Sequence, residues 1–219
     1  EVPIVDTNTR LGIYVHVPFC QKHCPYCDFA VVTGMLHRAP EYVDALCAEI
    51  RAGAARYAPN PPVTTVFLGG GTPSLLPAAQ VARILGTIRE CFAVQPDAEV
   101  TLEANPGLLR PRHLAGFRAA GVTRLSVGMQ TFNPRGLADL GRLHKPEDGH
   151  AALVNARAVG FDDVSLDLIF GWEGQTLADW RADLETAIAL RPEHLSVYSL
   201  TVEDGTPLAH AVLTGVATL

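Results

Sequence analysis

The stretch GIYVHVPFCQKHCPYCDF (residues 12–29) decides how the rest of the chain reads. It opens as an apolar, β-branched run of the kind that forms a strand. It ends in Cys20, Cys24 and Cys27, spaced C-x3-C-x2-C. Of the 5 cysteines in the chain only these cluster; Cys47 and Cys91 stand apart. Three thiols cannot pair off into disulfides. A zinc ion with His16 or His23 as fourth ligand is one alternative, although structural zinc sites usually draw on two separated ligand pairs. Three unlinked core cysteines are another, set against the polar Gln21, Lys22 and His23 between them. The remaining reading is an iron–sulfur cluster. Four-iron clusters normally take four thiolates, so three leave one iron open to a small molecule with a chelating amine and carboxylate.

The whole chain suits such a site on an α/β scaffold. Its 219 residues, 48% of them hydrophobic, are enough for one large domain with a proper core. The net charge is −6 and no Lys/Arg run stands out, which counts against nucleic-acid binding. No apolar run approaches the ~20 residues that span a bilayer. The start, EVPIVDTNTR, lacks the basic and apolar regions of a secretory signal, so a cytoplasmic location is expected. It also lacks an initiator Met, which suggests a trimmed N-terminus.

Six strand-like runs alternate with helical patterns: 12–18, 64–69, 99–104, 124–129, 163–170 and 194–200. Most carry more apolar residues than strict alternation gives, as buried parallel strands do. Between them, Val43, Leu46, Cys47 and Ile50 mark one helix face and Val81, Ile84, Leu85 and Ile88 another. Shorter helices follow Pro111 and Asn133-Pro134, a further one covers roughly 147–160, and Leu177, Trp180, Leu184 and Ile188 form the last stripe, with Thr176 as N-cap. Six βα units build a parallel sheet, either doubly wound or curled into an incomplete barrel; eight would close a full barrel.

Ligands of parallel α/β sheets sit beyond the carboxyl ends of the strands. Here those ends carry the cysteine trio, GGGTPS (69–74), Glu103 with Asn105, Gln130, Asp167, and Ser199 with Thr201. GGGTPS lacks the Lys of a phosphate loop, so it reads as a tight turn or as a place where a ligand approaches the backbone. Glu103 suits an ammonium or hydroxyls. Asp167 sits among Val164, Leu166, Leu168 and Ile169; a carboxylate there needs partners, either ribose hydroxyls or the backbone. The guanidinium of Arg142 suits a carboxylate. His16, His23 and His144 read as structural.

IYVHVPFCQKHCPYC (13–27) resembles the signature of radical S-adenosylmethionine proteins. FLGGGTPSLL, TLEANP, LSVGMQTF and SLDLIFGWEGQT resemble, in order and spacing, the oxygen-independent coproporphyrinogen oxidase branch of that superfamily, HemN and HemW. The likeness runs from residue 11 to about 208. It implies a three-quarter (β/α)6 barrel holding a [4Fe–4S] cluster and S-adenosylmethionine, whose cleavage yields a 5′-deoxyadenosyl radical. It also implies that Cys20, Cys24 and Cys27 hold the cluster. Tyr14 would lie near the sulfonium, and Gly70, Gly71 and Thr72 would line the methionine end. Glu103, Gln130, Arg142 and Asp167 would meet the cofactor's polar groups, and Thr201 the adenine.

Two departures favour the haem-chaperone side of that branch over the oxidases. Phe29 stands where oxidases carry a further cysteine, and their long N-terminal arm is absent. The expected function is therefore haem binding and delivery to acceptor proteins. The alternatives are oxidative decarboxylation of coproporphyrinogen III, a zinc-dependent barrel hydrolase and, least supported by the acidic balance, a tRNA-modifying enzyme. Trp172-Glu173 replaces the Leu-Pro usual in relatives. The expected organisation is an extension over 1–11, a barrel core over 12–208 and, from 209 to 219, the start of a C-terminal domain that relatives continue.

Overall fold

The computed structural model describes residues 10–57 and 61–218. All but the end of the expected 1–11 extension lies outside the described residues. Six strands form one sheet: β1 (Leu11–Val17), β2 (Val63–Gly70), β3 (Val94–Ala104), β4 (Arg124–Gln130), β5 (Asp163–Phe170) and β6 (His194–Ser199). They pair in chain order, all parallel. Among the described residues seven α-helices accompany them: α1 (Ala39–Ala54), α2 (Ala78–Cys91), α3 (Pro111–Ala120), α4 (Pro134–Asp139), α5 (Pro146–Ala158), α6 (Leu177–Ala189) and α7 (Pro207–Leu213). The expected six βα units are present. The seventh helix, which crosses residue 208, was not anticipated from the sequence.

β1 and β6 are not paired with each other, so the sheet keeps two edges. Six flat strands at ~4.8 Å spacing would place those edges ~24 Å apart. Yet residues following β1 and residues at the end of β6 line one cavity. The sheet therefore curls, as an incomplete barrel does, and the doubly wound alternative falls away.

Paired residues of a parallel ladder share a face. Val15, Val17, Val66, Leu68, Val100, Leu102, Leu125, Val127, Val164 and Leu166 occupy the outer face and are buried under the helices. The inner face carries Tyr14 and His16, then Phe67, Thr101 and Glu103, then Arg124 and Ser126, then Asp163, Ser165 and Asp167, then His194 and Ser196. The strands are thus more alternating than the apolar count suggested. Apolar side chains face the helices and polar ones line the concavity.

Capping follows the local sequence. Thr176 Oγ1 accepts from Asp179 N while the Asp179 carboxylate accepts from Thr176 N, a capping box that starts α6. The stripe expected on that helix is half realised: Trp180 and Leu184 pack against the core, but its two ends do not. Leu177 and Ile188 are 87% and 63% exposed, whereas Asp183 and Ala187 are buried. The reason is a polar anchor: Asp183 accepts from Thr131 Oγ1 at 2.6 Å and from Phe132 N at 2.7 Å, just past β4. A buried carboxylate satisfied by two donors fixes the helix rotation against the hydrophobic pattern.

Candidate cofactor-binding site

The segment after β1 leaves the sheet as a loop and returns through a two-residue ladder, Phe19–Cys20 with Val32–Thr33. The cysteines lie on this loop. Its base is stitched to β2's glycine turn: Gly71 N donates to Val17 O and Thr72 N to Phe19 O, both at 2.8 Å. This close approach needs glycine. A Cβ at Gly71 would stand 2.8 Å from Phe19 O and from the Pro18 carbonyl carbon, and Gly70 has a φ of 108° with the His16 ring where a Cβ would go. His16 Nε2 donates to Ala30 O at 2.8 Å, so its Nδ1 accepts from Tyr14 Oη at 3.1 Å. His23 Nε2 donates to Cys27 O at 2.9 Å. Both histidines thus spend a ring N–H holding the loop backbone.

The three cysteines line one end of a cavity of about 460 Å³ at the carboxyl ends of the strands, a volume typical of small-molecule sites. Of the residues singled out from the sequence, Gly70, Gly71, Thr72, Glu103, Gln130, Arg142, Asp167 and Thr201 also line it. Tyr14 does not. Its ring lies below, stacked on Phe67 with centroids 6.1 Å apart and close to Glu103.

Two of the sulfurs have side-chain donors nearby. Thr72 Oγ1 is 3.6 Å from Cys20 Sγ, and Arg142 Nη1 is 3.8 Å from Cys24 Sγ. Burial pushes the Cys20 and Cys27 thiols up; Thr72 opposes this at Cys20, and the backbone N–H of Phe29 opposes it at Cys27. Burial also raises the Tyr26 hydroxyl, which packs behind Arg142 and Cys24.

Across the cavity, Glu103 accepts from Gly70 N at 3.1 Å. Its carboxyl is pushed up to about 7, first by burial and then by the charge of Asp167, against the pull of that N–H. Asp167 accepts from Ser126 Oγ at 3.0 and 2.8 Å and from Ser165 Oγ at 3.4 Å. Its partners are hydroxyls from the inner face of β4 and β5, not the backbone. The signal was available: polar residues recur at period two, Arg124 and Ser126 in RLSVGM and Asp163, Ser165 and Asp167 in DVSLDL. Gly128 was also missed. Gln130 and Arg142 both crowd the space over it, with Gln130 Nε2 2.9 Å and Arg142 Nη2 3.4 Å from where a Cβ would sit.

The residues fit an anionic, sulfur-ligated group beside an amino-acid ligand. Cys20, Cys24 and Cys27 line the same cavity as Gly70 and Gly71, and the Nε of Arg142 is buried with no partner among the described residues. Among the described residues no three His, Cys, Asp or Glu side chains are gathered closely enough to hold a single metal ion, and no helix is long and apolar enough to cross a membrane.

Comparison with known proteins agrees with this geometry. Over 207 residues the chain is 44% identical to the haem chaperone HemW of Mycobacterium tuberculosis (strain H37Rv), spanning 93% of this chain and 53% of that protein. It is 39% identical over 199 residues to HemW of Escherichia coli K12, 90% of this chain and 52% of the relative. The solved structure of E. coli coproporphyrinogen III oxidase (HemN), described as a radical SAM enzyme, superposes with a TM-score of 0.82 at 31% identity, over 96% of this chain and 53% of that one. The chain thus spans about half the length of the relatives it matches. The family model for the Radical SAM superfamily matches residues 14–187, and the chain belongs to that superfamily.

Proposed function

We propose that this chain is the cofactor-binding barrel of a haem chaperone of the HemW kind, which binds haem as cargo and delivers it to acceptor proteins. The observation that carries the reading is the convergence of three sulfurs, Arg142 and the Glu103–Asp167 pair on one cavity, in a chain that is 44% identical to a haem chaperone. In this reading residues 12–208 form the barrel core. Cys20, Cys24 and Cys27 would hold a [4Fe–4S] cluster, with S-adenosylmethionine bound beside it through its amine and carboxylate. Gly70, Gly71 and Thr72 offer backbone and hydroxyl groups to the methionine end. Arg142 would pair with the carboxylate, while Glu103 and Gln130 would meet the N–H groups of the amine and the hydroxyls. Asp167, already pinned by two serines, presents its remaining acceptor capacity to ribose. Thr201 borders the adenine, and Tyr14 supports Glu103 from below. When bound, the reduced cluster and S-adenosylmethionine together supply radical chemistry.

The second reading is a coproporphyrinogen III oxidase, favoured by the superposition on HemN. Phe29, in the place of the oxidases' additional cysteine, weighs against it. One experiment separates the two. The protein is reconstituted anaerobically, assayed for iron and sulfide, and titrated with haem; coproporphyrinogen III is then supplied with reductant and S-adenosylmethionine. Haem binding without decarboxylation is expected, and turnover of the porphyrinogen would transfer the chain to the oxidases. About one zinc per chain with no iron would reject both.

A further inference from the structure

His144 belongs to no part of this cofactor reading, yet it is 5% exposed and its neighbours are specific. Its Nε2 donates to Met129 O at 3.1 Å, while two residues earlier Arg142 Nη2 donates to Gly128 O at 3.0 Å. One loop thus grips two consecutive carbonyls at the end of β4. Directly beyond them the strand breaks register between Gly128 and Gln130, and Gln130 has a φ of 68°. That conformation is unfavourable for a side chain with a Cβ, and a non-glycine residue keeps it only where its surroundings impose it. Thr131 N turns back to the same Met129 carbonyl at 2.9 Å, and Gln130 Nε2 ends over Gly128, inside the cavity.

We infer that His144 is a positioning residue: together with Arg142 it clamps the Gly128 and Met129 carbonyls, holds Gln130 in its strained backbone conformation, and so aims the Gln130 amide at the ligand of the cavity. This rests on the reading of that ligand as S-adenosylmethionine. Nothing in the packing alone calls for a histidine here. Its Nδ1 is buried without a partner among the described residues, a cost that an apolar ring of like size would not carry. Burial, with the nearby Arg142 charge, lowers the imidazole to about 4, against the opposing effects of the Met129 carbonyl and Asp148. The ring is therefore neutral at ordinary pH, with the single N–H on Nε2 committed to the carbonyl.

The test pairs His144→Phe, which fills the space without a donor, with His144→Gln, which keeps one. S-adenosylmethionine affinity is measured by calorimetry on the reconstituted protein, together with iron content, melting temperature and amide exchange over 128–132. His144→Phe is expected to retain iron and melt no lower than wild type, while exchange at Gln130 and Thr131 quickens and affinity falls about tenfold. His144→Gln recovers most of that loss. In a Gln130→Gly background, where the backbone strain is gone and the amide is absent, His144→Phe has little further effect. Wild-type affinity and exchange in His144→Phe would overturn the clamp while leaving the proposed function standing. Failure of the wild-type protein itself to bind S-adenosylmethionine would remove the proposed function and the clamp's purpose together.

Discussion

Thr72 Oγ1 lies 3.6 Å from Cys20 Sγ, so the glycine turn of β2 offers a hydroxyl donor to the first cysteine of the trio. Arg142 stands likewise to Cys24. Donors to cluster sulfurs stabilise the more negative, reduced state and raise the reduction potential. Thr72→Val should therefore lower the midpoint of the reconstituted cluster, read by spectroelectrochemical titration, while Thr72→Ser leaves it near the wild-type value. An unchanged midpoint in Thr72→Val would show that the hydroxyl turns elsewhere once the cluster is bound.

Gly71→Ala tests the stitching of the cysteine loop to the sheet. The added Cβ meets backbone on the facing segment at 2.8 Å, so the loop must move. A cost of about 1–3 kcal/mol is expected from overpacking of this kind, together with reduced iron retention and an unaltered far-ultraviolet dichroism spectrum. Full iron loading at wild-type stability would refute the tight approach.

The raised carboxyl of Glu103 makes stability depend on pH in a definite direction. Its folded value of about 7 exceeds the ordinary 4.5. Below the lower value the group is protonated in both states and contributes nothing. As pH rises from about 4.5 to 7 the unfolded chain gives up the proton first, so the folded state loses stability, and above 7 the full penalty stands. Its size is at most about 3 kcal/mol. Glu103→Gln should match wild type near pH 4 and exceed it near pH 8 in urea melts, with the difference opening between those values. A constant difference would mean the carboxyl is not perturbed.

Asp183 anchors α6 to the end of β4 through Thr131 Oγ1 and Phe132 N. Asp183→Ala leaves two buried donors without an acceptor and should cost about 2–4 kcal/mol. Asp183→Asn keeps one acceptor oxygen and should cost less. Chemical denaturation compares them; equal stability in all three proteins would show that water replaces the carboxylate.

The strands were readable because β-branched runs, glycine and proline punctuation, and alternation with helical stripes all agree on βα units. Cys20, Cys24 and Cys27 declared themselves by spacing, and Glu103, Gln130 and Asp167 by standing at strand ends. What the sequence withheld were relations between elements. The partners of Asp167 are serines on two strands, and their convergence depends on register. Asp183 carries no mark of burial in the sequence, because helical periodicity says nothing about a hydrogen-bond anchor outside the helix. The left-handed Gln130 had no local marker, since asparagine or glycine usually announces that conformation and here the surroundings enforce it. PLAHAVL carries a helix start, Pro207 behind the Thr206 cap, but its seven residues are too few for periodicity to support it.

The sheet divides its labour by face: hydrocarbon against the helices, hydroxyls and charges toward the concavity. Folding energy is thereby drawn almost wholly from one side. Exchanges on the other side that keep the hydroxyl partners of Asp167 disturb little of what keeps the chain folded. An architecture of this kind can be re-tooled for a new ligand by altering its lining while its foundation stays untouched, so diversification of chemistry and maintenance of the fold become separable problems for selection.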